Sequence, residues 1–131
     1  MEISEISPQN LKASVSIVDL NYRLGKTTAA EKEIDRFIGQ YDPASEASNI
    51  KDYLETLKTE VSGEDHVIRQ LVSFYKSQGQ IEKAITELDS LGDMLLGEGR
   101  KDDAVAVIEE IISLEPSNVT EYEKLLEQLK S

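Results

Sequence analysis

The chain has no cysteine and no tryptophan, one histidine and only three prolines. Without cysteine there is no disulfide framework, no thiolate zinc or iron–sulfur site and no cysteine nucleophile. A single imidazole cannot supply a pair of histidine metal ligands or a histidine relay beside a second one, so no cofactor and no metal are expected. Cations are also scarce, with 14 Lys and Arg against 26 Asp and Glu and a net charge of -12. That balance leaves no excess to displace counterions from phosphates or to dock on anionic lipid, and neither nucleic acid nor membrane is expected as a partner. No apolar run approaches the ~20 residues of a membrane span. The acidic opening Met1-Glu2-Ile3-Ser4-Glu5 is unlike a secretory leader, so a cytoplasmic protein is expected. At 131 residues the chain is long enough to bury one hydrophobic core.

What the sequence does have is helical periodicity between its glycines and prolines. Ser7-Pro8 reads as an N-cap followed by proline at the first helical position. The helix it opens runs to about Leu24 on Leu11, Val15, Val18 and Tyr22. Gly25 ends it, Thr27 or Thr28 caps the next, and Ala30, Ile34, Phe37 and Ile38 carry that one to near Pro43. Residues 44–49 are small and polar, a loop or a frayed helix start. Ile50, Tyr53, Leu54, Leu57 and Val61 then recur at helical spacing up to the break at Ser62-Gly63. Val67, Ile68, Leu71, Val72 and Tyr75 form a stripe closed by Gly79. Ile81, Ala84, Ile85, Leu88, Leu91, Met94 and Leu95 form another, closed by Gly97 and Gly99. Ala104, Val105, Ile108, Ile111 and Ile112 run to Pro116, and Ser117 or Asn118 caps a last helix on Val119, Tyr122, Leu125, Leu126 and Leu129. No useful stretch alternates with period two. The Val/Ile-rich run 101–114 is too long for a typical strand and carries Glu109-Glu110 inside it. The expected fold is all-α, about seven helices on short connections.

An internal repeat underlies that order. Gly25, Gly79 and Gly99 are each followed five residues later by an alanine, at Ala30, Ala84 and Ala104, and then by large apolar residues one and two turns on. Glycine lets the chain leave one helix in a left-handed conformation, the alanine lets two helix axes approach, and the large residues fill the groove between hairpins. Ser48-Asn49-Ile50 and Ser117-Asn118-Val119 form a second echo.

This arrangement resembles the tetratricopeptide repeat, a helix–turn–helix unit of 34 residues. Residues 85–118 carry its pattern in one register: Leu88, Leu91 and Leu95 at large positions, Gly92 at the small one, Gly99 at the turn, then Ala104, Ile108 and Pro116. Ile111 is bulkier than the family's residue there. A second register, 65–98, has Ile68, Leu71, Val72, Tyr75, Gly79, Ala84, Leu88 and Leu91, and starts 20 residues before the other. A degenerate hairpin at 11–44 keeps Gly25, Ala30, Ile34 and Phe37, with Asn21 and Pro43 off the pattern. The resemblance implies stacked antiparallel hairpins in an α–α superhelix, with 1–131 as a single domain and 119–131 as a capping helix. It also implies an interaction module without catalytic activity, a scaffold that receives a peptide or helix of a partner protein on the wall made by first helices. The residues at those positions are His66, Arg69, Ser73 and Lys76 in one register, and Asp89 and Asp93, beside Thr86 and Leu96, in the other. Asp89 and Asp93 speak against the family's carboxylate-clamp version, which needs Lys and Asn.

Other motifs have plainer readings. Gly25-Lys26-Thr27 resembles the end of a phosphate-binding loop, but Leu20 stands where a glycine is required, and a helix precedes it rather than a strand. His66 is read as a surface residue. Asp102-Asp103 and Glu109-Glu110 lack the spacing of a calcium loop, and acids early in a helix favour its dipole. Asn118-Val119-Thr120 fits a glycosylation pattern but is read as a helix cap. The alternatives to partner binding are a homodimer through the first helix, where Val15, Ile17 and Val18 stand near an end of the array, or the terminal segment of a larger repeat protein. The acidity is uneven: residues 85–131 carry 12 acids and 4 bases, whereas residues 1–84 carry 14 and 10.

Overall fold

A computed structural model of the chain describes residues 8–61 and 64–131. The elements are α1 (Pro8–Arg23), α2 (Thr27–Ile38), α3 (Ala47–Glu60), α4 (Asp65–Ser77), α5 (Ile81–Gly97), α6 (Lys101–Ser113) and α7 (Val119–Lys130), with no strand among the described residues. The fold is all-α and helical-repeat in kind. No helix of the described residues is long and apolar enough to cross a membrane. The expected Ser7 cap and Ser62-Gly63 break lie outside the described residues.

Three turns repeat one geometry. Gly25, Gly79 and Gly99 sit at φ +76°, +74° and +76°. In each, the residue after the glycine donates its N–H to a carbonyl five positions back: Lys26 to Asn21 at 2.7 Å, Gln80 to Tyr75 at 2.8 Å and Arg100 to Leu95 at 2.8 Å. The glycine N–H reaches a carbonyl three back, as Gly99 does to Leu96 at 3.1 Å. This pair of bonds satisfies carbonyls that a helix end otherwise leaves open. Ala30, Ala84 and Ala104, five residues after each glycine, are fully buried.

Two compact units divide the chain, one ending at Val67 and the other starting at Ile68. In the first, α1 packs on α2 and on α3. Its core is Val15 and Val18 from α1, Ala30, Ile34 and Phe37 from α2, and Ile50, Tyr53, Leu54 and Leu57 from α3. Phe37 and Tyr53 stack with ring centroids 4.1 Å apart, a contact worth about 0.5–1.5 kcal/mol beyond its area. In the second unit α5 packs on α6 and α6 on α7. Leu88, Leu91 and Leu95 meet Ala104, Val107, Ile108 and Ile111 in its core. Val107 and Phe74 are buried although the apolar stripes omit them. α7 is amphipathic, yet none of its residues is fully buried, so it lies over α6 as a half-covered cover.

Some local expectations change. α2 stops at Ile38, five residues before Pro43, because Asp42 folds its own turn: its carboxylate accepts the Ala44 N–H at 2.9 Å and the Ser45 hydroxyl at 3.1 Å. Lys26, not Thr27 or Thr28, holds the N-cap position of α2, and no side chain caps it. The two Ser-Asn echoes differ: Asn49 is buried inside α3, whereas Asn118 stands at the N-cap position of α7 without a capping bond. Val15 and Val18 are core residues, whereas Ile17 and Leu20 of α1 and Leu24 just after it are exposed.

Candidate functional site

Inside the first unit the polar residues that matter are structural. Ser14, buried on α1, donates its hydroxyl to Glu33 at 2.6 Å. Its oxygen lies 2.7 Å from the Tyr53 hydroxyl, which therefore acts as the donor. Glu33 also accepts two bonds from Arg36, at 2.8 and 2.7 Å. The Arg36 guanidinium, against the cost of partial burial and with help from Ser14, holds the Glu33 carboxyl below its ordinary value. Burial and the carboxylates of Glu64, Glu31, Asp35 and Asp65 push the Tyr22 phenol upward. Nothing in the apolar stripes signals this network. The one hint is Ser14, one position before the first buried valine, where a helix would otherwise carry an apolar side chain.

The six residues selected from the sequence fall into two groups. His66 is half-buried rather than surface-exposed, because its Nε2 lies 3.0 Å from Asp35 of α2. Arg69 is turned inward to Glu110 of α6 in an ion pair. Both spend polar atoms within their own units. Ser73 and Lys76 of α4, and Asp89 and Asp93 of α5, are exposed.

On α5 the exposed residues Glu82, Thr86, Asp89 and Asp93 follow one another at helical spacing, so they share a face. Asp89 is pushed above its ordinary value first by partial burial and then by the neighbouring Asp93 carboxylate, against a stabilising hydrogen bond from Tyr122 of α7. Glu82, Asp89 and Asp93 thus set three carboxyl groups along this face. Next to its start is an open groove of about 590 Å³, floored by Ile81 and Ile85 of α5 and by Leu114 and Pro116 of the α6–α7 turn. Glu82 and Glu115 stand at its rim, and neither has an ion-pair partner among the described residues. Glu115 occupies the left-handed region at φ 58°, the place that glycine fills in the other three turns. Sequence reasoning missed the groove because its two walls are some thirty positions apart in the chain. Among the described residues no three His, Asp or Glu side chains are grouped to hold a metal ion.

The tetratricopeptide repeat family model matches residues 88–118, within the register already read at 85–118. That segment, which folds as the later part of α5, its glycine turn, α6 and the turn to α7, is similar to a tetratricopeptide repeat. No curated protein and no solved structure matches the chain significantly.

Proposed function

We propose that the chain is a protein–protein interaction module that receives a peptide or helix of a partner on the exposed face of its repeat. Tetratricopeptide repeats are typically non-catalytic interaction modules, and the match at 88–118 is the observation that carries the reading. The packing supports it: α5 gives Leu88, Leu91 and Leu95 to the core and leaves Asp89 and Asp93 on the outside. Within the proposal Asp89 and Asp93 are the leading contacts and Ser73 and Lys76 the secondary ones. His66 and Arg69 contribute through the geometry they hold. Residues 1–131 act as one module in a cytoplasmic setting, with no enzymatic role and with another protein, rather than nucleic acid or lipid, as the partner.

Affinity capture with quantitative mass spectrometry, comparing the intact chain with its Asp89→Lys/Asp93→Lys variant, tests this reading. Specific partners are expected to drop out of the variant's recovery, and an unchanged set would refute the assignment of the face. A second reading, self-association, rests on Ile17 and Leu20 of α1 and Leu24 just after it, which are 45, 56 and 58% exposed. Light scattering that finds only monomer at high concentration would dispose of it.

A further inference from the structure

We infer that the groove at the start of α5 is an anchor pocket for an extended partner segment with one large apolar side chain and basic residues two and four positions away. The inference rests on the interaction-module reading and adds to it a site, an occupant and a register. Ile81, Ile85, Leu114 and Pro116 are each half-buried, so the groove presents apolar surface that its own helices leave uncovered. A volume of about 590 Å³ falls in the ordinary range for ligand pockets and takes a leucine- or phenylalanine-sized side chain with room for adjoining backbone.

Charge fixes the rest of the occupant. Glu82 and Glu115 border the groove, and Asp89 and Asp93 continue along the same face of α5. Along a helix axis each residue advances 1.5 Å, so Asp89 lies about 6 Å and Asp93 about 12 Å beyond Ile85. An extended chain advances about 3.3 Å per residue and sends alternate side chains to the same side. From an anchor over Ile85, the second residue along therefore falls near Asp89 and the fourth near Asp93, both pointing toward α5. Lysine or arginine at those places meets a carboxylate each time, and a long aliphatic stem can lie on the groove wall while its charged head reaches the acids. The register sought is an apolar residue, any residue, a base, any residue, a base, in either chain direction. An acidic segment would face four carboxylates, and a purely apolar one would leave the rim unmatched.

A displayed library of random dodecapeptides, panned against the intact chain and then measured by fluorescence anisotropy as synthetic peptides, tests this. The expected consensus holds the apolar-base-base spacing. The selected peptides should bind at least tenfold more weakly to Glu82→Lys/Glu115→Lys and to Ile85→Ala, while a Lys58→Glu control on α3 leaves them unchanged. Circular dichroism confirms that each variant is folded, and Glu82→Gln/Glu115→Gln provides a milder version that should give an intermediate loss. Peptides that lose affinity on Asp89→Lys/Asp93→Lys but not on the groove variants would overturn the anchor pocket and leave the interaction module standing. Enrichment of acidic or uncharged apolar peptides, including copies of this chain's own apolar segments, would overturn the charge register. No enrichment at all would overturn the pocket and count against the module reading itself.

Discussion

Two glycines of the repeat, seven residues apart, should respond to the same substitution with opposite signs. Gly99 sits at φ +76°, and a Cβ added there meets nothing within 4 Å. The cost of Gly99→Ala is thus conformational only, about 1–2 kcal/mol for an L-residue in the left-handed region. The reduced freedom of the unfolded chain returns about 0.4–1 kcal/mol, which leaves a net loss near 0.5–1 kcal/mol. Gly92 lies inside α5, where an added Cβ would rest 3.6 Å from Val107 Cγ1 and 3.7 Å from Ile108 Cδ1, ordinary van der Waals contact. Gly92→Ala removes the helix-interior penalty of glycine, about 0.8–1 kcal/mol, and adds apolar contact with α6. Urea unfolding followed by far-ultraviolet circular dichroism suits a chain without tryptophan and compares the midpoints at constant slope. Gly92→Ala should raise the midpoint and Gly99→Ala lower it. A destabilised Gly92→Ala would mean that α5 and α6 approach more closely than their side chains indicate, and an unaffected Gly99→Ala would refute the left-handed turn.

Three further outcomes follow from the packing. Ser14→Ala strands the buried Tyr53 hydroxyl and should cost about 1–3 kcal/mol, of which the double variant Ser14→Ala/Tyr53→Phe should recover a part; equal losses in the single and double variants would mean that the hydroxyl finds another acceptor. Because Glu33 is held below its ordinary value of 4.5, its contribution is fully present above that pH and is lost as pH falls through the lower folded value, so Glu33→Gln should flatten the acid limb of a stability–pH curve measured by urea unfolding. An acid limb that keeps its wild-type slope in the variant would assign it to other carboxylates. Ala104→Leu, at a fully buried position, should overpack the α5–α6 contact and cost roughly 1–3 kcal/mol, read as a lower thermal midpoint, whereas a neutral result would place Ala104 away from the contact.

Much of the fold was legible because burial follows spacing. Ile50, Tyr53, Leu54 and Leu57 recur at helical intervals and are all buried, and the three aligned glycines share one turn. Helix ends were less legible. Asp42 and Pro43 make a local turn that competes with α2, and that competition depends on side-chain hydrogen bonds that periodicity does not encode. Surface roles were least legible, since a position on a repeat does not reveal what the residue faces. Arg69 occupies a place where partners are expected, yet Glu110 neutralises it from α6. The groove is a product of packing alone: Ile85 reads as one more residue of a stripe until Leu114 and Pro116 close beside it.

The central claim, that the exposed face of α5 is where a partner protein is received, is tested most directly by calorimetric titration of a captured partner against the intact chain and against Asp89→Lys/Asp93→Lys. Both carboxylates lie outside the core, and the variant, which gives up the Asp89–Tyr122 hydrogen bond, is shown by circular dichroism to be folded at the titration temperature. Its affinity should fall at least tenfold, with a weaker dependence on salt. An affinity equal to that of the intact chain, at any salt concentration, would contradict the claim.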